Sequence, residues 1–539
     1  MTAPTPAGRP RRGGARRTGP GGTAHGLLAV CAAVLAAASI ALLAVVMALG
    51  PSAAVPRIGP GGPMWSLHAK PSAASVIALE RTGLLLGALA VAAGLAAVRR
   101  GWRPSALLLT GAGAAAAALF VFLPPAGSID VLNYAIYGRI AALGHNPYLM
   151  RPAQLYGAGD PVGRYAPGNW RTLPTIYGPV ATALQWAAAR LGGASMARIV
   201  FWIRLGNALA FVATGAGLVR LAGPDRARQA RACLLWAVNP LMLFWLVGSG
   251  HVDVLLALAM VAALITLRPA GRLGGARAGR WGGGSGAAAG AATGVIVGAA
   301  TAIKTPFALA ALGLAWAARS SPRTLVAGLA GAAAVLVPCY LVPGALNTAV
   351  LSRRLTVSAG FIYPVPAAIG SRPAVFAATV LAATLALAAL LLWRLPAGHP
   401  ALPAVRPAAA LALAWLAVFP VQAPWYDALI FPLLALMPAS ALDYLLLTRC
   451  LLLSEMVLPG VLPNTGSLSV AIGRFSHIGL LVVLGALILG CALRAWGAAR
   501  PSGGSGGGRG DGRGGGETGA DAVTAPARVL DSARLRRAR

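Results

Sequence analysis

Residues 128–148 read SIDVLNYAIYGRIAALGHNPY and set Asp130 shortly after a Pro-Pro pair, in a chain with only 12 acids among 539 residues. A carboxylate at such a place has two uses: it can complement the start of a helix dipole, or it can act as a general base toward a hydroxyl. If 129–142 is helical, Asp130, Tyr134 and Tyr137 fall at i, i+4 and i+7 and share one face, with Gly144 and Pro147 closing the helix. Three more polar clusters interrupt apolar runs: GSGHVDVLL with His251 and Asp253, AIKTPF with Lys304, and QAPWYDAL with Trp425, Tyr426 and Asp427. A fourth, LSRRLTV, pairs Arg353 with Arg354, a combination suited to gripping phosphate oxygens in bidentate fashion. Ionisable groups at membrane depth are functional candidates. Each also has a plainer reading: His251 and Asp253 as a mutual pair or helix cap, Lys304 as a snorkelling side chain, Trp425 and Tyr426 as interfacial aromatics, and the arginines as headgroup contacts.

The elements that must position these residues are membrane helices. The chain is 58% hydrophobic and 11% charged, whereas a soluble domain carries roughly a quarter charged residues. Apolar runs near the roughly 20 residues needed to cross a bilayer recur almost throughout. They predict an all-α integral membrane protein, a polytopic bundle of about 12–14 spans, near 27–49, 74–97, 105–123, 197–220, 232–248, 253–267, 287–303, 306–318, 324–342, 374–393, 407–420, 428–447, 450–463 and 476–496. With the N-terminus inside, the termini and loops assigned to the cytoplasm hold 30 of the 45 basic residues, which obeys the positive-inside rule. The segment from Pro124 to Met196 then lies outside as a long loop, the first to carry candidate catalytic residues, and all the clusters above fall at outer helix ends.

The net charge of +33 is dispersed over short loops rather than gathered on an aromatic-laced basic face, so nucleic acid is not an expected partner. Residues 1–26 are expected to be a basic cytoplasmic N-terminus leading into an uncleaved first helix. Residues 497–539, rich in Gly and Arg, are expected to form a disordered cytoplasmic tail. The five cysteines, Cys31, Cys233, Cys339, Cys450 and Cys491, lie in apolar runs without a CxxC pair and are expected to be packing residues.

The ordered set DVLNYAIYGRIAALGHNPY, NWRTLPTIYGPV, NPLMLFWLVGSGHVDVLLALAM, AIKTPFALAAL and QAPWYDALIFPLLAL resembles the actinobacterial polyprenol-phosphomannose-dependent α-1,6-mannosyltransferases of the C-type membrane glycosyltransferase (GT-C) superfamily. The resemblance spans roughly residues 105–447, which makes 27–496 the polytopic glycosyltransferase domain. It implies transfer of mannose from polyprenyl-phosphate-mannose to a lipid-anchored α-1,6-mannan on the outer face of the plasma membrane, with an acid in an early outer loop as base. Asp130 is the matching position. A sugar on a lipid phosphate already has a good leaving group, so the chemistry needs a base for the acceptor hydroxyl and cations for the departing phosphate. Lys304, Arg353 and Arg354 are the expected phosphate partners. Tyr134, Tyr137, Trp170, Tyr177, His251, Asp253, Trp425 and Tyr426 are expected around the sugar and lipid. Direct displacement with inversion turns the β-linked donor expected of such families into an α product. With no DxD motif or His/Cys cluster in the sequence, no metal and no cofactor are expected. Two alternatives stand at this stage: the same fold with another polyprenyl-phosphate sugar such as arabinofuranose, and a flippase or transporter of a lipid-linked sugar.

Overall fold

Short polar side chains stand just ahead of many of the apolar runs, and helices begin at those marks. In the computed structural model, which describes residues 21–268, 283–346, 373–396, 402–419, 422–458 and 482, Ser72 accepts from the Ser75 amide (3.1 Å) to start α2 (Ala73–Arg99). Ser105 and Ser195 cap α3 (Ala106–Val121) and α7 (Met196–Ala222) in the same way. Such a cap satisfies an amide that the first helical turn leaves without a partner. Ahead of α2 runs α1 (Gly21–Ala48). Between α3 and α7 lies the long connecting segment, built from α4 (Asp130–Ala142), α5 (Pro152–Gly157), two 3-10 turns (Gly163–Tyr165, Gly168–Trp170) and α6 (Pro179–Gly192).

Six of the described helices are long and apolar enough to cross a membrane, and six shorter apolar helices accompany them. The protein is thus an all-helical, polytopic membrane protein. The expected span 253–267 is α10 (Asp253–Leu267), and α11 (Gly283–Thr301), α12 (Phe307–Ala318), α13 (Pro322–Tyr340), α14 (Pro373–Arg394) and α15 (Val405–Val418) follow.

Two stretches depart from a simple rod. The expected span 232–248 is continuous with α8 (Arg226–Ala232) but contains wide π turns at 233–237 and 244–248. Between them Asn239 caps a fresh start at α9 (Pro240–Leu243), because Pro240 has no N–H to continue the helix before it. Where spans at 428–447 and 450–463 are expected, the chain instead makes a 3-10 turn (Pro424–Leu429), the short α16 (Phe431–Leu436), a break, and one helix α17 (Leu442–Val457). Buried ion pairs explain the shift. Arg231 grips Asp443 (Nη2–Oδ1 2.5 Å) and the carbonyls of Ala435 and Met437 at the break, and Arg449 pairs with Asp427. Arg449 is therefore a buried helical residue and not part of a cytoplasmic loop. The expected span 476–496, the N-terminal residues 1–20, the tail 497–539, Cys491, Arg353 and Arg354 lie outside the described residues. Cys31, Cys233, Cys339 and Cys450 are free thiols.

One side chain ties the upper ends of three helical segments together. Arg204 of α7 is fully buried; its Nε donates to the Val247 carbonyl (2.9 Å), and its two terminal nitrogens donate to the carbonyls of Leu123 and Phe120. These oxygens belong to the end of α3 and the π turn at 244–248, where a helix leaves its last carbonyls without intrahelical donors. Replacing Arg204 with Leu would take this donor from the Val247 and Leu123 carbonyls, at about 1–3 kcal/mol for each buried group left unsatisfied, while the Phe120 carbonyl keeps the Leu123 amide (3.1 Å). The expected outcome is a large drop in the thermal midpoint of the detergent-purified protein, with Arg204→Lys recovering only part of it.

Candidate active site

Asp130 is the first residue of α4, its amide donating to Ser128 Oγ (3.2 Å). Its side chain keeps 19% exposure, in contrast to the groups behind it. The preceding loop is tied to the loop after the 244–248 turn, since Ser249 Oγ donates to the Ala126 carbonyl (2.6 Å). Gly250 then takes φ +85°, and a Cβ there would lie 2.9 Å from Val131 and 3.1 Å from Arg204. Only glycine accommodates both that backbone and that contact. Next comes His251, completely buried, whose carbonyl accepts from Asn207 Nδ2 (3.1 Å) and whose ring stacks on Trp425 with centroids 3.6 Å apart and planes 11° from parallel. His251 Nδ1 lies 3.9 Å from Asp130 Oδ2. Asp253 heads α10 and pairs with Lys304 (Oδ1–Nζ 2.7 Å).

Lys304 comes from the turn between α11 and α12. That turn is held by the Gly178 amide donating to Ile303 (3.1 Å) and the Val180 amide donating to Ala302 (3.0 Å). A Cβ at Gly178 would collide with the Ala302 carbonyl, so the close approach of the two backbones depends on that glycine. The ammonium also sits 4.1 Å above the Tyr426 ring, a cation–π contact. Tyr177 completes the wall, with its hydroxyl donating to that of Tyr134 (3.4 Å) and the two rings edge to face.

Thus Asp130, Tyr134, Tyr177, His251, Asp253, Lys304, Trp425 and Tyr426, spread over nearly 300 positions, form one cluster. Tyr137 does not face it: its hydroxyl donates to the Leu173 carbonyl (3.1 Å), bracing α4 against the loop. Trp170 is buried in its 3-10 turn. Asn207, Gln422 and Arg449 were not singled out from sequence. Arg449 donates to Gln422 and Asp427, fixing the 3-10 turn that presents Trp425 and Tyr426. The signal for it was a lone ionisable residue inside an apolar run. Among the described residues no three His, Cys, Asp or Glu side chains are grouped so as to hold a metal ion.

Burial and the nearby Lys304 cation hold the His251 imidazole well below its usual proton affinity, so it is neutral. Burial opposes the Lys304 charge, yet the Asp253 carboxylate lifts its pKa above the ordinary lysine value. Burial pushes Tyr177 far up, with Asp130 adding to the shift, and it stays a phenol. The cluster thus sets two acidic side chains, Asp130 and Asp253, around one ammonium.

Residues 25–320 match a family model described as alpha-(1->6)-mannopyranosyltransferase, N-terminal domain. The chain belongs to this α-(1→6)-mannopyranosyltransferase family. It is 28% identical over 145 residues to alpha-(1->6)-mannopyranosyltransferase B of Corynebacterium glutamicum, covering 27% of this chain and 24% of that relative. A probable alpha-(1->6)-mannopyranosyltransferase of Mycolicibacterium smegmatis is 33% identical over 144 residues, 26% of this chain and 25% of the relative. The chain thus spans about a quarter of the length of these relatives. No solved structure matches. In this mannopyranosyltransferase family member, the matched region contains Asp130, Tyr134, Tyr177, His251, Asp253 and Lys304, while Trp425 and Tyr426 lie beyond it.

The Lys304–Asp253 pair is a testable feature of this site. Lys304→Met leaves a buried carboxylate unpaired, at a cost of about 3–5 kcal/mol. The Lys304→Met/Asp253→Leu double variant is expected to melt above the Lys304→Met single variant in a thermal scan.

Proposed function

We propose that this chain transfers mannose from polyprenyl-phosphate-mannose to a lipid-anchored α-1,6-mannan acceptor. The observation that carries the proposal is the convergence of Asp130, His251, Asp253, Lys304 and four aromatic rings at one end of the bundle. Family membership supplies the sugar and the linkage class.

In this reading Asp130, the more open carboxylate, takes the proton of the acceptor hydroxyl as that oxygen attacks the anomeric carbon. The bond from that carbon to the phosphate oxygen breaks, and its electron pair leaves with polyprenyl phosphate. Lys304 meets the charge that grows on the leaving phosphate. Arg353 and Arg354, which follow α13 in the sequence, are proposed as further phosphate contacts. Trp425, Tyr426, Tyr177 and Tyr134 offer stacking and hydroxyl contacts for sugar and prenyl groups, and Trp170 and Tyr137 shape the wall behind them. Attack opposite the leaving group inverts the anomeric centre, so a β donor yields an α product.

The site is proposed to face the outside of the plasma membrane. Arginines concentrate at the other ends of the same helices, among them Arg99, Arg100 and Arg103 between α2 and α3, and Arg319 and Arg323 between α12 and α13. Short basic loops mark the cytoplasmic side.

The deciding assay is transfer of labelled mannose from polyprenyl-phosphate-mannose to a short α-1,6-mannoside by membranes holding the full chain. Asp130→Asn is expected to lower the rate by about 10²–10⁴-fold with donor KM little changed, and Lys304→Met to lower kcat more than it raises donor KM. Wild-type rates in Asp130→Asn would remove the base, and no transfer by the wild type would remove the reaction.

A further inference from the structure

The buried imidazole of His251 has a feature that sugar binding does not explain. Neither ring nitrogen has a hydrogen-bond partner among the described residues, although the side chain is completely buried. Buried polar atoms are normally paired, so the ring is kept at this position for something other than packing. Its plane is fixed by the Trp425 stack, and its backbone by Asn207 and by the turn at Gly250. Across the cluster, Asp130 Oδ2 lies 3.9 Å from its Nδ1. Contacts of this kind in a site without substrate tighten when substrate fills it.

We propose that His251 orients Asp130 and is the second station for the proton of the transfer reaction. The inference rests on the reading of Asp130 as the base. The acceptor O–H bond breaks with its proton passing to the Asp130 carboxylate, the oxygen bonds to the anomeric carbon, and polyprenyl phosphate leaves with the electron pair. The proton then moves from the neutral Asp130 carboxyl to His251 Nδ1, which restores the carboxylate, and it reaches solvent as the products depart.

The charges around the ring supply a physical reason for that order. They are Asp130 and Tyr134 from α4, Tyr177 ahead of α6, Asp253 from α10, Lys304 after α11 and Tyr426 from the 424–429 turn, with Arg204 of α7 against Gly250. Before transfer the Lys304 cation disfavours a second positive charge on the imidazole. Burial opposes that charge throughout, but once the leaving phosphate bears its full charge beside Lys304 the cation's share of the opposition falls, and the nearby anion favours a proton on the imidazole. Departure of the phosphate and relocation of the proton are thereby coupled through Lys304.

The test is a pH series of kcat and donor KM on the full chain in lipid nanodiscs, with polyprenyl-phosphate-mannose and a short α-1,6-mannoside. His251→Phe keeps the stack on Trp425 but cannot orient or take a proton. It is expected to lower kcat by about 100-fold, to leave donor KM within about threefold, and to move the acid limb of the rate profile to lower pH, since Nδ1 accepts from the neutral Asp130 carboxyl and the hydrogen bond favouring that protonated form is lost. His251→Gln, which can orient Asp130 but cannot hold the proton, is expected to fall between. Unchanged kcat in His251→Phe, or a raised donor KM with unchanged kcat, overturns the inference while the proposed function stands. If His251→Phe does not fold, His251→Gln decides: a loss of kcat at wild-type melting temperature supports the inference, and wild-type kcat overturns it. No transfer by the wild type overturns the proposed function, and this inference with it.

Discussion

The guanidinium of Arg204 sets the distance on which the candidate chemistry depends. Asp130 lies seven residues past Leu123, and His251 four residues past Val247, and both of those carbonyls accept hydrogen bonds from Arg204. The two loops that face each other across the site therefore start from one rigid fork. A lysine would offer a single point charge where three directed donors are needed. Burying a guanidinium is costly, and here the negative ends of two helical segments offset much of that cost. The Ser249–Ala126 bond adds a second tie farther along the same loops, and it holds Asp130 and the His251 imidazole near each other.

A comparable arrangement secures the opposite wall. The chain after α15 is broken between 424 and 441 into a 3-10 turn, the short α16 and a non-helical link, yet the helices around it belong to the apolar bundle. Irregular backbone at membrane depth is tolerated where protein, not lipid, surrounds it. Arg231 satisfies the Ala435 and Met437 carbonyls at the break, and the Arg449–Asp427 pair fixes the turn above it. The two ion pairs allow a short 3-10 turn in place of a full helix, and that turn aims Trp425 at His251 and Tyr426 at Lys304.

Most of the cluster was legible in the sequence because membrane proteins make polar residues conspicuous. Asp130, His251, Asp253 and Lys304 stand out against alanine and leucine, and their common placement at helix ends followed from charge bias in the loops. The limits have equally physical origins. Helical periodicity put Tyr137 on the Asp130 face, but the segment at 171–174 passes close enough to take its hydroxyl, a tertiary contact that no local pattern reports. The basic residue at 449 counted as a loop marker because its partner, Asp427, lies 22 positions away. Likewise, the division of 428–463 into two spans followed hydropathy, which cannot register a break that is stabilised by a distant arginine.

Under the proposed function, the charge balance of the cluster bears on how a phosphate-linked donor would be handled. Lys304 already answers Asp253 at 2.7 Å, so an incoming phosphate must share the ammonium rather than find it unclaimed. An ammonium has three donors, and with Asp253 and the Tyr426 face on one side it can still direct one toward a phosphate oxygen. Shared in this way, its hold on the intact donor is modest, because Asp253 repels the same anion. As the glycosidic bond breaks, more negative charge gathers on the phosphate, and the attraction to Lys304 grows while the ammonium stays in place. An interaction that strengthens between ground state and transition state is the kind that accelerates a reaction rather than merely retaining its substrate. On this argument Asp253 is a tuning group: by weakening the ground-state grip of Lys304 it leaves more of the electrostatic gain for the moment of bond breaking.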